Sequence, residues 1–497
     1  MDEKSQPTDI QNYYQDRSLF LTGVSGFLGK ALLEKLLRSC PKIGTINVLI
    51  RPKSGFDPGS RLRTIFQSPI FDLLKSQNPG ALNKVRAIGG DITLPHLGIS
   101  EDDRRHLTET VSVVIHSAAS VKFNEPIKVA LNINYHGTAR ILELCHEMPL
   151  LTSFVHVSTA YSNCDLEHVP EKIVPSTVRP EDIDALSDED AVKLTPALIG
   201  DKPNTYTFTK SLAENLLRKE GAQLPITIVR PSIIGAAWQE PQPGYVDSTC
   251  GVTGVMAASG KGFLTCMCGD GASVADVIPL DVTANLIIAA GYDIAQTRSL
   301  DIPVYNCCTG PVNPVTYGKI WDYTLEQYEE ATPLNGVLRY PSLTFRVSLL
   351  RFHLINFLCT FLPCLAADTV AYLGGGKVKM MRAYRRLINS VVVYHYFASN
   401  QWSFESSNLE RLNQRLSPAD KNIFFTNVNE MEWRSYIRNY ARGIKTWIFK
   451  EDANDVEEAR KRMLRMYWIQ KVLLMVTISI LWSYAVRPLM FLFVSHV

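Results

Sequence analysis

The chain has almost no net charge. Its 497 residues carry 51 Lys plus Arg against 49 Asp plus Glu, a balance of +2, too small for a surface devoted to gripping a polyanion, so nucleic acid is not an expected partner. Cysteine is sparse and irregular. The ten cysteines include the close pairs Cys266/Cys268 and Cys307/Cys308, but there is no C-x-x-C and no paired Cys/His spacing, so neither a disulfide framework nor a metal site is expected. The start of the chain lacks the basic residues and the 7–15-residue apolar run of a secretory signal; residues 1–17 read as a polar tail, and the catalytic body is expected to face the cytosol. There is no internal repeat and no low-complexity tract.

What is present is apolar mass. Hydrophobic residues make up 46% and charged residues 20%, enough for two or three packed domains. Residues 19–235 alternate short apolar runs with amphipathic stretches, the rhythm of strand–helix units winding a parallel sheet. Six strands are expected: Leu19–Thr22, Asn47–Ile50, Val85–Ile88, Val111–His116, Ser153–Ser158 and Ile226–Arg230. Between the first two, Lys30–Ser39 places Leu32/Leu36 and Leu33/Leu37 on one stripe, which predicts a helix packed on the sheet. Residues 164–203, rich in acid and proline, read as an insertion. Around 236–330 the pattern turns irregular and glycine-rich, with a helix expected at Val282–Gly291, and reads as a substrate-side lobe.

Past residue 335 the composition changes. Phe352–Ala367 is apolar but at sixteen residues, interrupted by Pro363, falls short of a bilayer span; it is followed by Lys377, Lys379, Arg382, Arg385 and Arg386. Membrane-surface contact and a buried helix beside a solvated basic face both fit that pattern. The end of the chain carries a stronger signal. Val472–Val486 has no charge, apolar character resumes at Leu489–Val494 after Arg487-Pro488, and Lys461, Arg462, Arg465 and Lys471 precede the run. A membrane anchor over 466–497 is expected, the alternatives being a core helix or an in-plane hairpin kinked at Pro488.

Three motifs carry chemistry. After the first strand, Thr22-Gly23-Val24-Ser25-Gly26-Phe27-Leu28-Gly29-Lys30 places three glycines where a strand turns into a helix, the context in which backbone and helix N-terminus cradle a pyrophosphate. At the end of the second strand, where an acid would hold the ribose of NAD, stands Ile50-Arg51-Pro52-Lys53. Cations there pair with a 2′-phosphate, so NADPH is the expected cofactor. The fifth strand ends His156-Val157-Ser158-Thr159-Ala160-Tyr161, and Tyr206-Thr207-Phe208-Thr209-Lys210 puts a phenol and an ammonium on one helix face. An ammonium beside a phenol lowers its pKa, and with a hydroxyl partner the pair can hydrogen-bond a carbonyl oxygen and deliver a proton as hydride arrives.

In this order the motifs resemble the extended short-chain dehydrogenase/reductase superfamily, and within it the fatty acyl-CoA reductases. The residues that carry the narrower resemblance are Thr22–Lys30, His156–Tyr161, Tyr206–Glu214, Arg230–Gly235, Val304-Tyr305-Asn306 and Asn313-Pro314, with Trp433, Tyr436, Gly443 and Lys450-Glu451 further on. The family has Ala-Thr where this chain has Val24-Ser25, both small enough for the turn. The resemblance implies an α/β fold: a doubly wound Rossmann-type parallel sheet over 18–335 with its substrate lobe, a mainly helical C-terminal domain over 336–455, and a C-terminal membrane segment.

It also implies that Thr22, Gly23, Gly26, Phe27, Leu28, Gly29, Arg51, Asp91, Ile92, Ala118, Ala119, Pro231, Ser232 and Ile233 line the cofactor site, with Lys210 holding a ribose hydroxyl. Tyr206 would donate the proton, partnered by Thr159 or Ser158. The expected reaction is reduction of long-chain fatty acyl-CoA to a primary alcohol, with NADPH as reductant, at a membrane of the endoplasmic reticulum or peroxisome. Two rivals stand beside it: a related enzyme acting on sterols or nucleotide sugars, and a catalytically silent NADPH-binding scaffold.

Overall fold

The computed structural model describes residues 6–483 apart from 53, 54, 300 and 378. The chain divides into two compact units, each assembled from separated stretches: 1–247, 273–316 and 400–432 in the first, and 248–272, 317–399 and 433–497 in the second.

The first unit is built on a seven-stranded sheet, every pairing parallel: β1 (Ser18–Thr22), β2 (Ile46–Ile50), β3 (Val85–Gly89), β4 (Val111–His116), β5 (Ser153–Val157), β6 (Ile226–Pro231) and β7 (Val304–Cys307). The spatial order is 3-2-1-4-5-6-7. Strands β2, β4, β5 and β6 are buried throughout, which is why they read as continuous apolar runs rather than alternating ones. All six expected strands are present within a residue or two. The seventh escaped the reading because it is four residues long and contains Asn306, whose side chain donates to the carbonyls of Val169 (3.1 Å) and Glu405 (3.0 Å).

Helices cover both faces. Helix α1 (Phe27–Ser39) buries Ala31, Leu32, Leu33, Leu36 and Leu37 and packs with α3 (Leu280–Thr297). The opposite face carries α2 (Thr205–Glu220), whose Leu216 and Leu217 join a core of Phe20, Val114, Phe154 and Ile228. Helix α3 contains the expected Val282–Gly291 but is longer, and it belongs to this unit. Every residue from Leu280 to Gly291 is buried, because the helix lies directly against β5 and β6. Inserted between β5 and α2 are helices Pro180–Asp184 and Asp188–Ile199, whose Ile183 and Ala191 pack on Phe208 and Leu212. Order β1 and β4 as neighbours and the direction of winding reverses between them, opening a crevice at the strands' carboxyl ends.

The second unit is mainly helical, with one short parallel pair, Cys266–Cys268 and Thr344–Arg346. Its helix is continuous from Leu349 to Leu373, so Pro363 does not break the apolar run. A π turn at Phe357–Phe361 absorbs the proline, and the Cys359 carbonyl, which Pro363 has no N–H to reach, accepts from the Arg339 guanidinium at 2.5 Å. Among the described residues two helical stretches are long and apolar enough to cross a membrane, Leu349–Leu373 and Glu457–Ile480. The second overlaps the expected anchor, whose residues from 484 onward lie outside the described ones. All ten cysteines are free thiols, eight of them buried.

Candidate active site

The glycine turn is shaped by close approach. Gly23 has φ +80°, and a Cβ on it would fall 2.7 Å from Ser117 Oγ and 2.8 Å from the Ala118 nitrogen. A Cβ on Gly29 would lie 2.1 Å from the Gly23 carbonyl oxygen. Only hydrogen fits at either position. Gly26 donates its N–H to the Gly23 carbonyl (2.9 Å) and forms the N-cap of α1, leaving Ser25 and Gly26 exposed and Phe27 and Leu28 half-buried at the lip.

Thr22 ties this turn to the end of β4. Its hydroxyl is 2.7 Å from His116 Nδ1 and accepts from the Ala118 N–H at 3.2 Å, while Ser117 Oγ donates to the Thr22 carbonyl. The half-buried Ala118 and Ala119 therefore sit beside the glycines. At the ends of β2 and β3, Arg51 pairs through Nε with Asp91 Oδ2 at 2.8 Å and remains largely exposed. Lys53 lies outside the described residues. Ile92 departs from the expected lining: it is buried in the sheet core, packed where Gly137 makes room for it.

At the end of β5 two adjacent hydroxyls part ways. Ser158 Oγ donates to Glu214 Oε1 at 2.5 Å, and Glu214 is held by Arg230 through two hydrogen bonds (2.9 and 2.6 Å), with both charged side chains buried. Thr159 instead lies beside the phenol of Tyr206, close enough to pull its pKa down. It also donates to the Pro231 carbonyl (3.4 Å) and accepts from the Tyr161 N–H (3.3 Å). Tyr206 opens α2, which Asn204 caps by accepting from the Thr207 N–H. Its ring stacks on Phe123 with centroids 5.6 Å apart.

Lys210 lies one helical turn on and is buried. Its ammonium donates to the Val157 carbonyl at 2.6 Å and sits 3.4 Å from His156 Nε2. The electrostatics correct the sequence expectation for the phenol. Burial pushes Tyr206 up to about 12, offset in part by Thr159, because the Lys210 ammonium is turned to the β5 backbone. Burial lowers Lys210 to about 8 against the opposing pull of Glu214. Near neutral pH the phenol therefore holds its proton and the amine is largely charged.

After β6, Pro231 pairs with Cys307 and the Ser232 N–H donates to the Cys307 carbonyl at 3.1 Å. Ser232 Oγ is buried with no hydrogen-bond partner among the described residues, and Ile233 pairs with Val277. Parallel winding thus brings Thr22–Gly29, Arg51, Asp91, Ala118, Ala119, Thr159, Tyr206, Lys210 and Pro231–Ile233 to one edge of the sheet. Ser158 is bonded to the Glu214–Arg230 pair and Ile92 to the core.

Sequence reading missed the residues that brace this edge. Asn134, inside a π turn, accepts from the Ser120 N–H (2.9 Å) and donates to Thr209 Oγ1 (3.0 Å), joining the loop after β4 to α2. No spacing marks it, because its partners are distant in sequence. Glu214 and Arg230 stood inside quoted motifs, and a buried polar pair sixteen residues apart is invisible until β6 and α2 pack.

The glycine cradle that no Cβ can enter and the unpartnered buried Ser232 Oγ fit a dinucleotide laid across the edge. Comparison with known proteins agrees. An NAD-binding family model described as male sterility protein matches residues 21–287, and a second model of the same description matches 359–451. Rat fatty acyl-CoA reductase 1 is 39% identical over 95% of this chain and 92% of its own length. The human protein of that name is 36% identical over the same shares, and bovine fatty acyl-CoA reductase 2 is 36% identical over 92% and 89%.

Among solved structures, the reductase domain of a nonribosomal peptide synthetase from Mycobacterium tuberculosis superposes with TM-score 0.60 at 19% identity, covering 88% of this chain and 95% of that one. The terminal R domain of the myxalamid pathway gives 0.58 at 17%, covering 88% and 92%. These two show the fold. The near full-length identity to the reductases, laid over a sheet edge built for a nicotinamide dinucleotide, makes this chain a member of the fatty acyl-CoA reductase family.

Proposed function

We propose that the protein reduces long-chain fatty acyl-CoA to primary fatty alcohol with NADPH, through an aldehyde and with release of CoA. The observation that carries the reading is the placement of the Tyr206 phenol beside Thr159 at the sheet's carboxyl edge, one helical turn from Lys210 and beside the Gly23–Gly29 cradle. The names of its close relatives support the substrate class. Arg51, standing where an NAD site has an acid, supports NADPH: its guanidinium, exchanging Asp91 for a 2′-phosphate, would keep a charge-assisted bond.

The glycines, Ala118, Ala119, Pro231 and Ser232 would hold the cofactor, which when bound supplies hydride. The protein's own part is electrostatic. The Thr159 and Tyr206 hydroxyls hydrogen-bond the thioester carbonyl oxygen and stabilise the negative charge that develops there. Tyr206, protonated at neutral pH, gives its proton to that oxygen, while the Lys210 ammonium, turned to the Val157 carbonyl, would hold a ribose hydroxyl of the cofactor. Collapse of the thiohemiacetal returns its hydroxyl proton to the Tyr206 phenolate, expels CoA thiolate and leaves aldehyde, whose carbonyl the same two hydroxyls would hold for hydride from a second NADPH.

The apolar Glu457–Ile480 helix supports a membrane location, at the endoplasmic reticulum or peroxisome with the sheet unit in the cytosol, where the acyl substrate also partitions. Membranes containing the protein, supplied with NADPH and acyl-CoAs of graded length, are expected to yield alcohol. Tyr206→Phe is expected to retain NADPH binding and lose nearly all turnover. Alcohol formed by that variant at the unmutated rate would refute the proton donor, and no product from any acyl-CoA would refute the substrate class.

A further inference from the structure

The polarity of the Leu349–Leu373 helix is inside out. Its buried stripe runs at four-residue spacing through Phe352, Asn356, Thr360, Cys364 and Asp368, three of them polar. Its exposed surface is largely apolar: Leu350, Leu354, Phe357, Leu358, Leu362, Leu365, and Val370, Tyr372 and Leu373, which reach 71–80% exposure. A helix facing water has the reverse arrangement, and a continuous exposed apolar face of this extent marks a contact surface.

The helix is one arm of a hairpin. Asp368 accepts from the N–H groups of Lys379, Met380 and Met381 at 2.9, 3.0 and 2.8 Å, locking the end of the first arm to the start of helix Met380–Ser399 across Gly374–Gly376. Phe352 on the first arm and Val391 and Ala398 on the second are buried together with Cys266, Cys268 and Trp321, so the base is rooted in the second unit.

Charge says what covers the apolar face. Between Ala331 and Phe404 the chain has eight Lys or Arg and a single acid, Asp368, already spent on the turn. Lys377, Lys379, Arg382, Arg385 and Arg386 are exposed, and among the described residues none of them pairs with a carboxylate. An apolar helix face beside a row of unneutralised cations complements an anionic lipid surface. A transmembrane path is excluded by the second arm, which would have to carry Arg382, Arg385 and Arg386 back through hydrocarbon.

We propose that this hairpin lies in the interfacial plane of an anionic bilayer, the apolar face of Leu349–Leu373 at the level of the upper acyl chains and the cations of Lys377–Arg386 at the lipid phosphates. This goes beyond the proposed reaction and is independent of it. It is also separate from the C-terminal helix, which reaches a membrane whether or not the hairpin does.

The test uses the full chain in phosphatidylserine/phosphatidylcholine vesicles, in a Cys250→Ser, Cys359→Ser background because the other thiols are buried. Leu358→Cys, Leu365→Cys and Val370→Cys are each labelled with a polarity-sensitive fluorophore, and nitroxides are placed at shallow or deep acyl positions. All three labels are expected to shift to the blue and to be quenched more strongly by the shallow nitroxide. Replacing Lys379, Arg382, Arg385 and Arg386 by Ser is expected to reduce that quenching to the level seen on phosphatidylcholine alone. Labels that remain in water, that are shielded without nitroxide quenching as in a protein interface, or that are quenched best by the deep nitroxide as in a spanning helix, each overturn the proposal.

Discussion

Thr159→Val and Ser158→Ala remove hydroxyls from adjacent residues and should have opposite consequences. Valine keeps the volume of threonine, so Thr159→Val deletes the hydroxyl beside Tyr206 together with its two long bonds, 3.4 Å to the Pro231 carbonyl and 3.3 Å from the Tyr161 N–H. Losing one donor aimed at a developing oxyanion costs about 10²–10³ in kcat, or roughly 2.7–4 kcal/mol. Folding should change little. Ser158→Ala instead removes the 2.5 Å bond to a buried carboxylate. Bonds to charged groups contribute about 1.5–3 kcal/mol, and Glu214 cannot recruit water at 1% exposure, so that loss falls on stability. The remaining Arg230 bonds hold Glu214 in place, and kcat should fall by no more than a few fold.

The assay is NADPH oxidation with alcohol and aldehyde both quantified, run beside equilibrium urea unfolding of each variant. Loss of turnover in Ser158→Ala with normal stability, together with near-normal turnover in Thr159→Val, would refute the assignment of these two side chains.

Three other outcomes follow from the same geometry. Burial holds His116 down to about 3 and His156 well below its ordinary value, with Lys210 adding to both. The unfolded chain takes up these protons below about pH 6.5 and the folded one does not, so stability should fall as pH drops from 6.5 toward those values, by roughly 1.4 kcal/mol per pH unit per histidine. His116→Gln should remove one proton's share of that slope in urea titrations at pH 6.5 and 4.5, and an unchanged slope would refute it. Arg51→Asp should lower the NADPH/NADH ratio of kcat/KM by about tenfold or more, since a charge-assisted phosphate bond becomes a repulsion; an unchanged ratio would place the phosphate elsewhere. Gly29→Ala, with its Cβ forced to 2.1 Å from a backbone carbonyl, should abolish NADPH binding in fluorescence titrations, and retained affinity would mean the turn can open without cost.

Local sequence settles only what neighbours along the chain can settle. Strands β2, β4, β5 and β6 were legible because a strand buried on both faces must be a short apolar run, and the glycine turn and the Tyr206/Lys210 spacing were legible because each is complete within nine residues. Strand β7 was not, since Asn306 finds its partners 137 and 99 residues away. Proline read as a helix breaker at 363, until the π turn and Arg339 supplied what it lacks.

The amino-acid order by itself determined a parallel α/β sheet with a dinucleotide turn at its edge, because those signals arise from periodicity and from glycine's missing side chain. Tertiary packing decided the rest. It parted Ser158 from Thr159 by binding the first to the buried Glu214–Arg230 pair. It raised the Tyr206 phenol where its neighbour alone would have lowered it, since desolvation depends on what closes over a group, and no local spacing records that.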